Sequence, residues 1–310
     1  MINIESLRLK AYPSVSVVVL TKNSARTLND CLDAIIKSEF KPKKVIIVDG
    51  GSTDNTLGIA RKFKVNLILS DEGKGLGYAR DIGWRAASSD YVLFVDSDVM
   101  LKEDFIQIAM NIMEKDKALG ALAGKLEPIC HGKDIVSLWM MRNLSITLHK
   151  NAPFYPRYEP ESLHTAVTMF RCRALEKVGG FDHDMRLALE DWTISYRLLS
   201  SNYKLAYINN FSKHLETPNR FRKMNIRYGR SRVHCKRKGY PITVFPLRLK
   251  LASLCIIFPM AIFPFASYFI YKHNMLNRDI PFKVQIKLGM IEVWRLMLRA
   301  FGAWLELLGV

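Results

Sequence analysis

Cysteine is sparse in this chain of 310 residues, and its spacing indicates no disulfide framework. The five cysteines are odd in number, and no two of them form a Cys-x-x-Cys pair. A domain held together by disulfides usually carries an even set. We therefore expect free thiols in a reducing compartment.

The sequence pattern also lacks a secretory signal. The first apolar run, at 15–20, is short for the hydrophobic region of such a signal and has the β-branched composition of a strand. We expect the amino terminus to stay in the cytosol.

No internal repeat or low-complexity stretch is found in the sequence.

Acidic residues are scarce in the last third of the chain. The net charge is +17, and from residue 212 onward eighteen Lys and Arg accompany four Asp and Glu. A basic tail of this kind fits an anionic membrane surface or nucleic acid. Because no basic motif interleaved with aromatic residues is found, we expect a membrane partner and no nucleic acid.

Charged side chains are absent from residues 251–271. These 21 residues are long enough to cross about 30 Å of hydrocarbon as a helix. Pro259 and Pro264 each remove a backbone donor, so we predict a kinked membrane span, with a re-entrant hairpin as the alternative. Twelve Lys and Arg lie between residues 213 and 250, and the positive-inside rule places that flank on the cytoplasmic side of a cell membrane.

Residues 282–310 have an amphipathic pattern. Apolar side chains recur at helical spacing at Trp294, Met297, Leu298, Phe301, Trp304, Leu305 and Leu308. The opposite side carries Glu292, Arg295, Arg299 and Glu306. The pattern predicts a helix that lies in the membrane interface, and a second membrane span is the alternative.

The first 211 residues alternate strand-like and helix-like segments, which is typical of an α/β fold with a mostly parallel sheet. The predicted strands are 15–20, 44–48, 65–69, 91–95, 166–170 and 203–208. The predicted helices are one capped by Ser24, then 53–63, one ending at Ala87, 103–115, 135–148 and 188–199. The first four strands are apolar throughout, so we expect each to be covered on both faces. Ligands of such sheets bind beyond the carboxyl ends of the strands, where Asp49, Asp96 and Asp98 fall.

Asp96 and Asp98 follow the predicted strand 91–95 and leave it on the same side. Two carboxylates so close repel each other unless a cation joins them. Their oxygens suit Mg²⁺ or Mn²⁺, and such an ion would in turn bind a diphosphate. For an isolated Asp-x-Asp pair, a solvated turn is the alternative.

Five segments, taken together, resemble a known enzyme family. They are VSVVVLTKNS at 15–24, VDGGSTDNT at 48–56, GLGYARDIGWRAA at 75–87, GGFD at 179–182 and EDW at 190–192. The pattern is similar to that of the inverting glycosyltransferases of family 2, which have the GT-A fold and use nucleotide-activated sugars. The resemblance covers about residues 14–235. It implies a GT-A catalytic domain at 1–235, and we expect a membrane-associated helical region at 236–310.

The resemblance implies that the first two strand ends bind the base of the nucleotide. Thr21 and Asn23 stand in the polar turn that meets the base in the family. Asp49 would accept a hydrogen bond from the ring N–H of the base, and Ser52 lies in the same turn. A buried carboxylate that faces a ring N–H discriminates sharply between bases. Asp54, in the same motif, is interpreted as a helix cap.

The resemblance places the glycine-rich segment at 73–80 beside the diphosphate. Lys74 and Arg80 are its cations, and an ordinary ion pair is the alternative for each. Asp96 and Asp98 match the family's Asp-x-Asp motif, which implies a nucleotide contact for Asp96 and metal binding for both. His214 stands where some relatives have a metal-binding histidine, and a surface or packing role is its alternative.

Asp191 matches the position of the family's catalytic base. An acceptor hydroxyl is a poor nucleophile until it loses its proton, so the reaction needs such a base. Glu190 either orients the acceptor or caps the helix. We expect a sugar to be transferred from a UDP- or GDP-sugar to a hydroxyl with inversion, and a catalytic domain held at a membrane suggests a lipid-linked acceptor.

Three other functions are compatible with parts of this pattern. A polyprenyl-phosphate sugar synthase would act on a bare lipid phosphate, which is already ionised and needs no base. A sugar-phosphate nucleotidyltransferase shares the α/β core and paired carboxylates but has no evident use for Glu190 and Asp191. A non-catalytic anchor would bind anionic lipid or nucleic acid through the basic tail.

Overall fold

The computed structural model describes residues 13–130, 132, 134–141, 161–215, 220–246, 250, 252–253 and 281–309. Within these ranges, eight strands form one sheet that lies between layers of helices. The strands are β1 (Val15–Thr21), β2 (Lys44–Asp49), β3 (Leu67–Ser70), β4 (Tyr91–Asp96), β5 (Val99–Met100), β6 (Leu119–Ile129), β7 (Val167–Arg171) and β8 (Lys204–Leu215). Their order across the sheet is β3-β2-β1-β4-β7-β6-β8-β5.

The helices are α1 (Leu28–Lys37), α2 (Thr56–Lys62), α3 (Leu76–Ala87), α4 (Phe105–Lys115), α5 (135–141), α6 (Cys172–Lys177), α7 (Glu190–Ser200), α8 (Phe221–Arg237) and α9 (Phe282–Leu308). Each predicted strand and helix before residue 130 overlaps an observed element. The predicted helix 135–148 is observed as α5, and its remainder lies outside the described residues. Ser24 precedes α1, but its hydroxyl bonds that of Ser97 at 2.8 Å instead of capping the helix.

The sheet is mixed in strand direction. Strand β1 is parallel to β2 and β4, and β2 is parallel to β3. Strand β7 is antiparallel to both of its neighbours, β4 and β6, and β5 is antiparallel to β8. The expected mostly parallel sheet is therefore found over β1–β4 and is interrupted beyond β4. A strand buried on both faces has the same apolar pattern in either direction, so the sequence does not reveal this reversal.

Successive residues of β1 point to opposite faces of the sheet. Val15, Val17 and Val19 pack with α1 and α4, whereas Val18 packs with α3, α6 and α7 on the other face. Helix α1 buries one face, which carries Leu28, Cys31, Leu32 and Ile35. The first four strands were predicted to be covered on both faces. This is confirmed for β1, β2 and β4, whereas β3 lies at the edge of the sheet and is partly exposed.

Strand β6 lies inside the sheet although the sequence pattern did not predict it. Its residues LGALAGKLEPI include glycine and alanine, which weaken a strand pattern. A Cβ at Gly124 would come within 2.7 Å of the ring of Phe105, and one at Gly120 within 2.9 Å of Tyr203 Cβ. The glycines are therefore needed where neighbouring elements press against the strand.

The carboxy-terminal helices α8 and α9 pack closely along each other. A Cβ at Gly229 of α8 would lie 1.9 Å from the carbonyl oxygen of Arg299, and one at Gly302 of α9 would lie 2.1 Å from that of Ile226. The predicted domain boundary at residue 235 thus falls within α8, whose partner is the last helix of the chain.

Helix α9 forms over the segment predicted to be amphipathic, but its polar side meets α8. Arg299 Nε donates to Asn225 Oδ1 at 2.8 Å, and Arg230 Nε donates to Glu306 Oε2 at 3.1 Å. Only residues 252 and 253 of the predicted span 251–271 are described, so that prediction lies outside the described residues. Among the helices that the structure does describe, none combines the length and apolarity needed to cross a bilayer.

Candidate active site

The carboxyl ends of the parallel strands meet at one edge of the sheet. Thr21 lies opposite Asp49 in the β1–β2 register, and Leu20 lies opposite Asp96 in the β1–β4 register. Asp71 directly follows β3, and its backbone N–H donates to the carbonyl oxygen of Asp49 at 3.0 Å. Carboxylates from three strand ends are therefore gathered at this edge, as expected for Asp49 and Asp96.

Asp49 is buried, and both of its carboxylate oxygens accept hydrogen bonds. Oδ1 accepts from the hydroxyls of Thr21 at 2.9 Å and Ser52 at 2.6 Å. Oδ2 accepts from the backbone N–H groups of Gly51 at 3.0 Å and Ser52 at 2.8 Å. A carboxylate has about four acceptor positions, so the ring N–H of a base would have to displace one of the hydroxyl donors.

Asn23 completes this turn from the end of β1. It has a left-handed backbone with φ of 51°, which asparagine tolerates well. Its backbone N–H donates to Ser52 Oγ at 2.8 Å, and its Oδ1 accepts from the N–H of Thr53 at 2.8 Å. Asp54 accepts from the N–H of Thr56, the first residue of α2, at 3.0 Å, in agreement with its interpretation as a capping residue.

Arg80 is buried and joins two carboxylates from separate parts of the chain. Its Nε donates to Glu190 Oε1 at 3.1 Å, and its Nη2 donates to Asp96 Oδ1 at 3.2 Å. Burial alone would lower the pKa of Arg80, but the charges of Asp96 and Glu190 outweigh it and raise the pKa. Its Nη1 is buried without a partner among the described residues. Arg80 thus holds the end of β4 beside the start of α7.

Asp98 and His214 are neighbours because β5 pairs with β8. Val99 lies opposite His214 in the register, and His214 Nε2 is 3.3 Å from Asp98 Oδ1. Burial would raise the pKa of Asp98, but the hydrogen bond and charge of His214, together with the charge of Arg220, lower it overall. The Asp98 carboxylate is therefore ionised at neutral pH.

The described residues contain no group of three or more side chains that could hold a metal ion. The structure brings together two of the three predicted ligands, Asp98 and His214, and engages Asp96 with Arg80. Mg²⁺ sites commonly use one or two carboxylates and complete the coordination with substrate phosphates and water. The Asp98–His214 pair therefore fits a divalent ion that takes further ligands from a diphosphate.

Asp191 occupies the first turn of α7, next to Glu190. Its Oδ1 accepts from the N–H of Trp192 at 2.7 Å. Burial, reinforced by the charge of Glu190, raises the pKa of Asp191 to about 7, against the opposing effect of Arg80. A carboxylate with a pKa near 7 is matched to proton abstraction at neutral pH. Glu190 itself is buried and paired with Arg80, a role that neither sequence interpretation included.

The glycine-rich segment before α3 packs against the backbone at 182–186. A Cβ at Gly77 would lie 2.0 Å from the carbonyl oxygen of Asp182. Gly75 has φ of 97°, and a Cβ there would lie 2.5 Å from the carbonyl oxygen of Arg186. Only glycine fits these positions, so protein packing already explains the small residues that were predicted to approach a diphosphate.

Lys74 lies on the surface of this segment. Its ammonium group is 2.6 Å from Glu72 Oε2 and 4.5 Å from the ring centre of Tyr78. This is the ordinary ion pair named as the alternative for Lys74. Because exposed ion pairs contribute only about 0–1 kcal/mol, Glu72 would not prevent Lys74 from moving to a phosphate.

Helix α8 crosses the site between β8 and the 182–186 loop. At its start, the charge of Arg220 acts on Asp98. Near its end, Cys235 Sγ lies 3.4 Å from Met185 Sδ. The carboxy-terminal part of α8 thus packs beside the start of α7, where Trp192 adjoins the cluster of Met185 and Cys235.

Tyr228 lies in the middle of α8 and links the site to α9. Burial and the negative charge of Asp191 raise the pKa of Tyr228, so its phenol stays protonated. The guanidinium carbon of Arg299 lies 4.9 Å from the centre of the Tyr228 ring. Tyr228 therefore experiences the charge of Asp191 and also contacts the last helix of the described structure through Arg299.

Sequence reasoning missed Asp71 and Tyr228. Asp71 immediately follows the predicted strand 65–69, so the rule that singled out Asp49 would have found it. Tyr228 lies within the basic tail, whose charge predicts a membrane partner and gives no signal for a single tyrosine. Only the packing of α8 identifies the tyrosine as part of the site.

The fold and the site are those of an α/β protein with carboxylates gathered where the ligands of such sheets bind. The model of the family described as Glycosyl transferase family 2 matches residues 16–179, which is more than half of the chain, and the chain belongs to this family. The predicted family and the GT-A fold are thereby confirmed.

Curated relatives share part of their length with this chain. Poly-beta-1,6-N-acetyl-D-glucosamine synthase of Staphylococcus epidermidis is 25% identical over 209 residues, which cover 62% of this chain and 47% of the synthase. Chondroitin synthase of Escherichia coli is 27% identical over 205 residues, which cover 61% of this chain and 28% of that protein. The match therefore spans about half of the first relative and less of the second.

Solved structures share the fold over nearly the whole chain. The mannosyltransferase PcManGT from Pyrobaculum calidifontis, in complex with GDP-Man and Mn²⁺, has a TM-score of 0.63 at 17% identity and covers 95% of this chain and 88% of that one. S. aureus TarS 1-349, in complex with UDP, has a TM-score of 0.51 at 17% identity and covers 96% and 92%. At these identities the likeness establishes the fold alone.

Proposed function

We propose that this protein transfers a sugar from a nucleotide sugar to an acceptor hydroxyl and inverts the anomeric configuration. The observation that carries the proposal is the position of Asp191, a carboxylate with a pKa of about 7 next to the Glu190–Arg80–Asp96 bridge. Membership of glycosyl transferase family 2 supports the reaction class.

In the proposed reaction, Asp191 accepts the proton of the acceptor hydroxyl. The hydroxyl oxygen forms a bond to the anomeric carbon as the bond from that carbon to the diphosphate oxygen breaks, and the nucleoside diphosphate leaves. A positioned base of this kind contributes about 10²–10⁴-fold to the rate. Arg80 opposes the rise in the pKa of Asp191, which keeps a useful fraction of that carboxylate ionised.

The base of the donor would lie at the ends of β1 and β2, against the turn formed by Thr21, Asn23, Asp49 and Ser52. The hydrogen bonds among these residues supply a preformed polar surface at the correct edge of the sheet. We propose a UDP- or GDP-sugar, since PcManGT is solved with GDP-Man and TarS with UDP.

Asp98 and His214 would hold Mg²⁺ or Mn²⁺, with Asp96 close by at the end of β4. Such an ion would supply positive charge to the departing diphosphate. Two donors of the protein itself would bind the same phosphates. They are Nη1 of Arg80, which has no partner among the described residues, and the exposed ammonium of Lys74, which would leave Glu72. The Mn²⁺ in the PcManGT complex supports this choice of metal.

We further propose a lipid-linked acceptor and a catalytic domain on the cytoplasmic side of a cell membrane. The uncharged run 251–271 and the basic residues between 213 and 250 support this location. A base at Asp191 favours a hydroxyl acceptor over a bare lipid phosphate, because a phosphate is already ionised and gains nothing from it.

The reaction class is tested by incubating the full chain with radiolabelled UDP- and GDP-sugars, Mn²⁺ and a membrane lipid extract. We expect label to enter the lipid fraction as nucleoside diphosphate is released. Release of inorganic diphosphate would identify a nucleotidyltransferase. Release of neither product would leave only the anchor function and would overturn the proposal.

Two variants separate the proposed roles of the carboxylates. Asp191→Asn should lower transfer by at least about 10²-fold with nucleotide binding retained, because only the base is lost. Asp98→Asn should also remove the increase in nucleotide affinity that Mn²⁺ produces. Asp33→Asn, which alters an exposed acid of α1, is the matched control and should preserve both properties. Transfer by Asp191→Asn at the control rate would refute its assignment as the base.

A further inference from the structure

Helix α9 exposes an apolar stripe that runs almost its whole length. The stripe is defined as Met290, Trp294, Phe301, Trp304 and Leu308, whose spacing places them on one side of a helix. Trp294 is 40% exposed, Trp304 42% and Leu308 71%. Single exposed apolar residues are ordinary, but a contiguous stripe marks a surface that contacts another apolar phase.

The stripe tryptophans are half-exposed, with the ring of Trp294 stacked 5.1 Å from that of Phe221 and the ring of Trp304 5.5 Å from that of Phe245. The other side of α9 is engaged with α8, and this contact keeps the rest of the stripe outward. The close approach at Gly229 and Gly302 leaves no room for the helix to rotate. Glu306 accepts from Arg230, and Arg299 donates to Asn225, so the polar side is satisfied where it lies. Turning the stripe inward would bury apolar rings against these charges and break the helix pair.

Positive charge surrounds the stripe. Lys283 and Lys287 are exposed and continue the same side of α9 towards its amino-terminal end. Exposed cations on α8 are Arg222, Lys223 and Arg227. Cations of this kind are attracted to an anionic bilayer, and tryptophan is enriched where a bilayer meets water.

The uncharged part of the chain leaves the described structure beside this stripe. Trp304 Nε1 lies 3.4 Å from the hydroxyl of Ser253, which precedes the undescribed residues 254–280. The chain is described again from Pro281, immediately before α9. Ser253, near the start of the uncharged run 251–271, is therefore in contact with a tryptophan of the stripe.

We infer that the stripe is the surface on which the protein lies against an anionic lipid bilayer. The inference rests on the membrane attachment in the proposed function and is independent of the proposed reaction. Helix α8 packs against the side of α9 opposite the stripe, and packed helices are about 8–10 Å apart, so the candidate active site would lie close to the lipid surface and outside the bilayer.

Fluorescence quenching by brominated lipids tests this surface directly. The chain has five tryptophans, of which only Trp294 and Trp304 lie on the stripe. We expect vesicles of brominated phosphatidylcholine and phosphatidylglycerol to quench part of the emission of the full chain. Trp294→Phe with Trp304→Phe should abolish the quenched part while vesicle binding persists, and the buried control Trp84→Phe should leave it unchanged.

A second pair of variants tests the contribution of the stripe to binding. Trp294→Glu with Phe301→Glu should weaken partition to these vesicles by at least about tenfold. Leu199→Glu, on the exposed side of α7, is the matched control and should bind like the wild type. Donor turnover measured without lipid reports the proposed reaction separately, so failure of one proposal is distinguishable from failure of the other.

Three results would overturn the inference. The first is quenching that survives the loss of both stripe tryptophans. The second is a lipid-free dimer, detected by light scattering, that dissociates in the glutamate variant, because a second copy would then cover the stripe. The third is resistance of Trp294 and Trp304 to acrylamide in the lipid-free monomer, because residues 254–280 would then cover it.

Discussion

Two cations of the site, Arg80 and Lys74, have the same charge but opposite surroundings. Arg80 is buried between Asp96 and Glu190, whereas Lys74 pairs with Glu72 in water. Exposed pairs contribute little, and breaking a buried pair leaves an uncompensated charge in a poorly solvated place. Arg80 therefore determines the geometry of the carboxylates, and Lys74 does not.

Arg80→Met should destabilise the protein by about 3–5 kcal/mol, because Glu190 would remain buried without its cation. Arg85→Met is the matched control on the same helix. Arg85 is half-exposed, and its partner Asp81 keeps hydrogen bonds from Trp84 and the backbone of Phe181, so we expect a loss of less than about 1 kcal/mol. Urea denaturation measures the free energy of unfolding of both variants. Equal losses of stability in the two variants would contradict this interpretation of Arg80.

Transfer should depend on pH through Asp191. Because burial and Glu190 raise the pKa of Asp191 to about 7, the ionised form that can accept a proton is lost as the pH falls below that value. The rate should therefore rise with a midpoint near pH 7 and fall about tenfold per pH unit below it. Nucleotide binding measured over the same range controls for the donor site, and a flat rate profile would contradict the prediction.

At the scale of elements, the helix pair α8–α9 connects the site to the rest of the tail. The negative charge of Asp191 acts on Tyr228 of α8, and the adjacent Gly229 lies against the backbone of α9. Glycine is poor in helix interiors, so its occurrence at both Gly229 and Gly302 reflects close contact rather than helix propensity. The position of Tyr228 therefore depends on how closely α9 can approach.

Gly229→Ala and Gly302→Ala should each destabilise the protein by about 1–3 kcal/mol, because the added methyl group would overlap the backbone of the other helix. Gly58→Ala in α2 is the control, since its Cβ would meet only the movable side chain of Asn55. That variant should be neutral or slightly stabilising. Chemical denaturation followed by tyrosine and tryptophan fluorescence compares the stability of the three variants. The prediction would be wrong if Gly58→Ala were the most destabilising.

At the scale of the whole molecule, the described part of the tail packs against the rest of the chain. Cys235 of α8 lies in a buried cluster with Met185, and Phe221 of α8 and Leu288 of α9 lie in another with Trp139. A boundary at residue 235 would cut this arrangement near the end of α8. The amino-terminal sheet and the last helix are therefore expected to unfold together.

Removing α9 by ending the chain at residue 280 should lower the melting temperature by several degrees. The reason is that α8 would expose the face around Asn225 and Gly229, and each 1 kcal/mol lost corresponds to about 2–4 °C in a protein of this size. Differential scanning fluorimetry with and without nucleotide measures the effect. An unchanged melting temperature would support a tail that is independent of the catalytic domain.

Much of the fold and part of the site could be predicted from local pattern. The strands β1, β2 and β4 are continuous apolar runs that end on polar turns, so Asp49, Asp96 and Asp98 could be assigned to one edge of the sheet. Strand β6 could not be predicted in this way. Its glycines weaken the strand pattern, and they are required because residues distant in the chain, such as Phe105, pack against the strand.

The sequence by itself determined the α/β order, the strand-end carboxylates, the basic tail and the amphipathic last helix, because each depends on residues close together in the chain. Only the tertiary structure decided that Arg80 bridges Asp96 and Glu190, that Asp98 pairs with His214, and that the polar side of α9 turns towards α8. These contacts join residues far apart in the chain, and hydrophobic periodicity reports which residues share a face but not what that face meets.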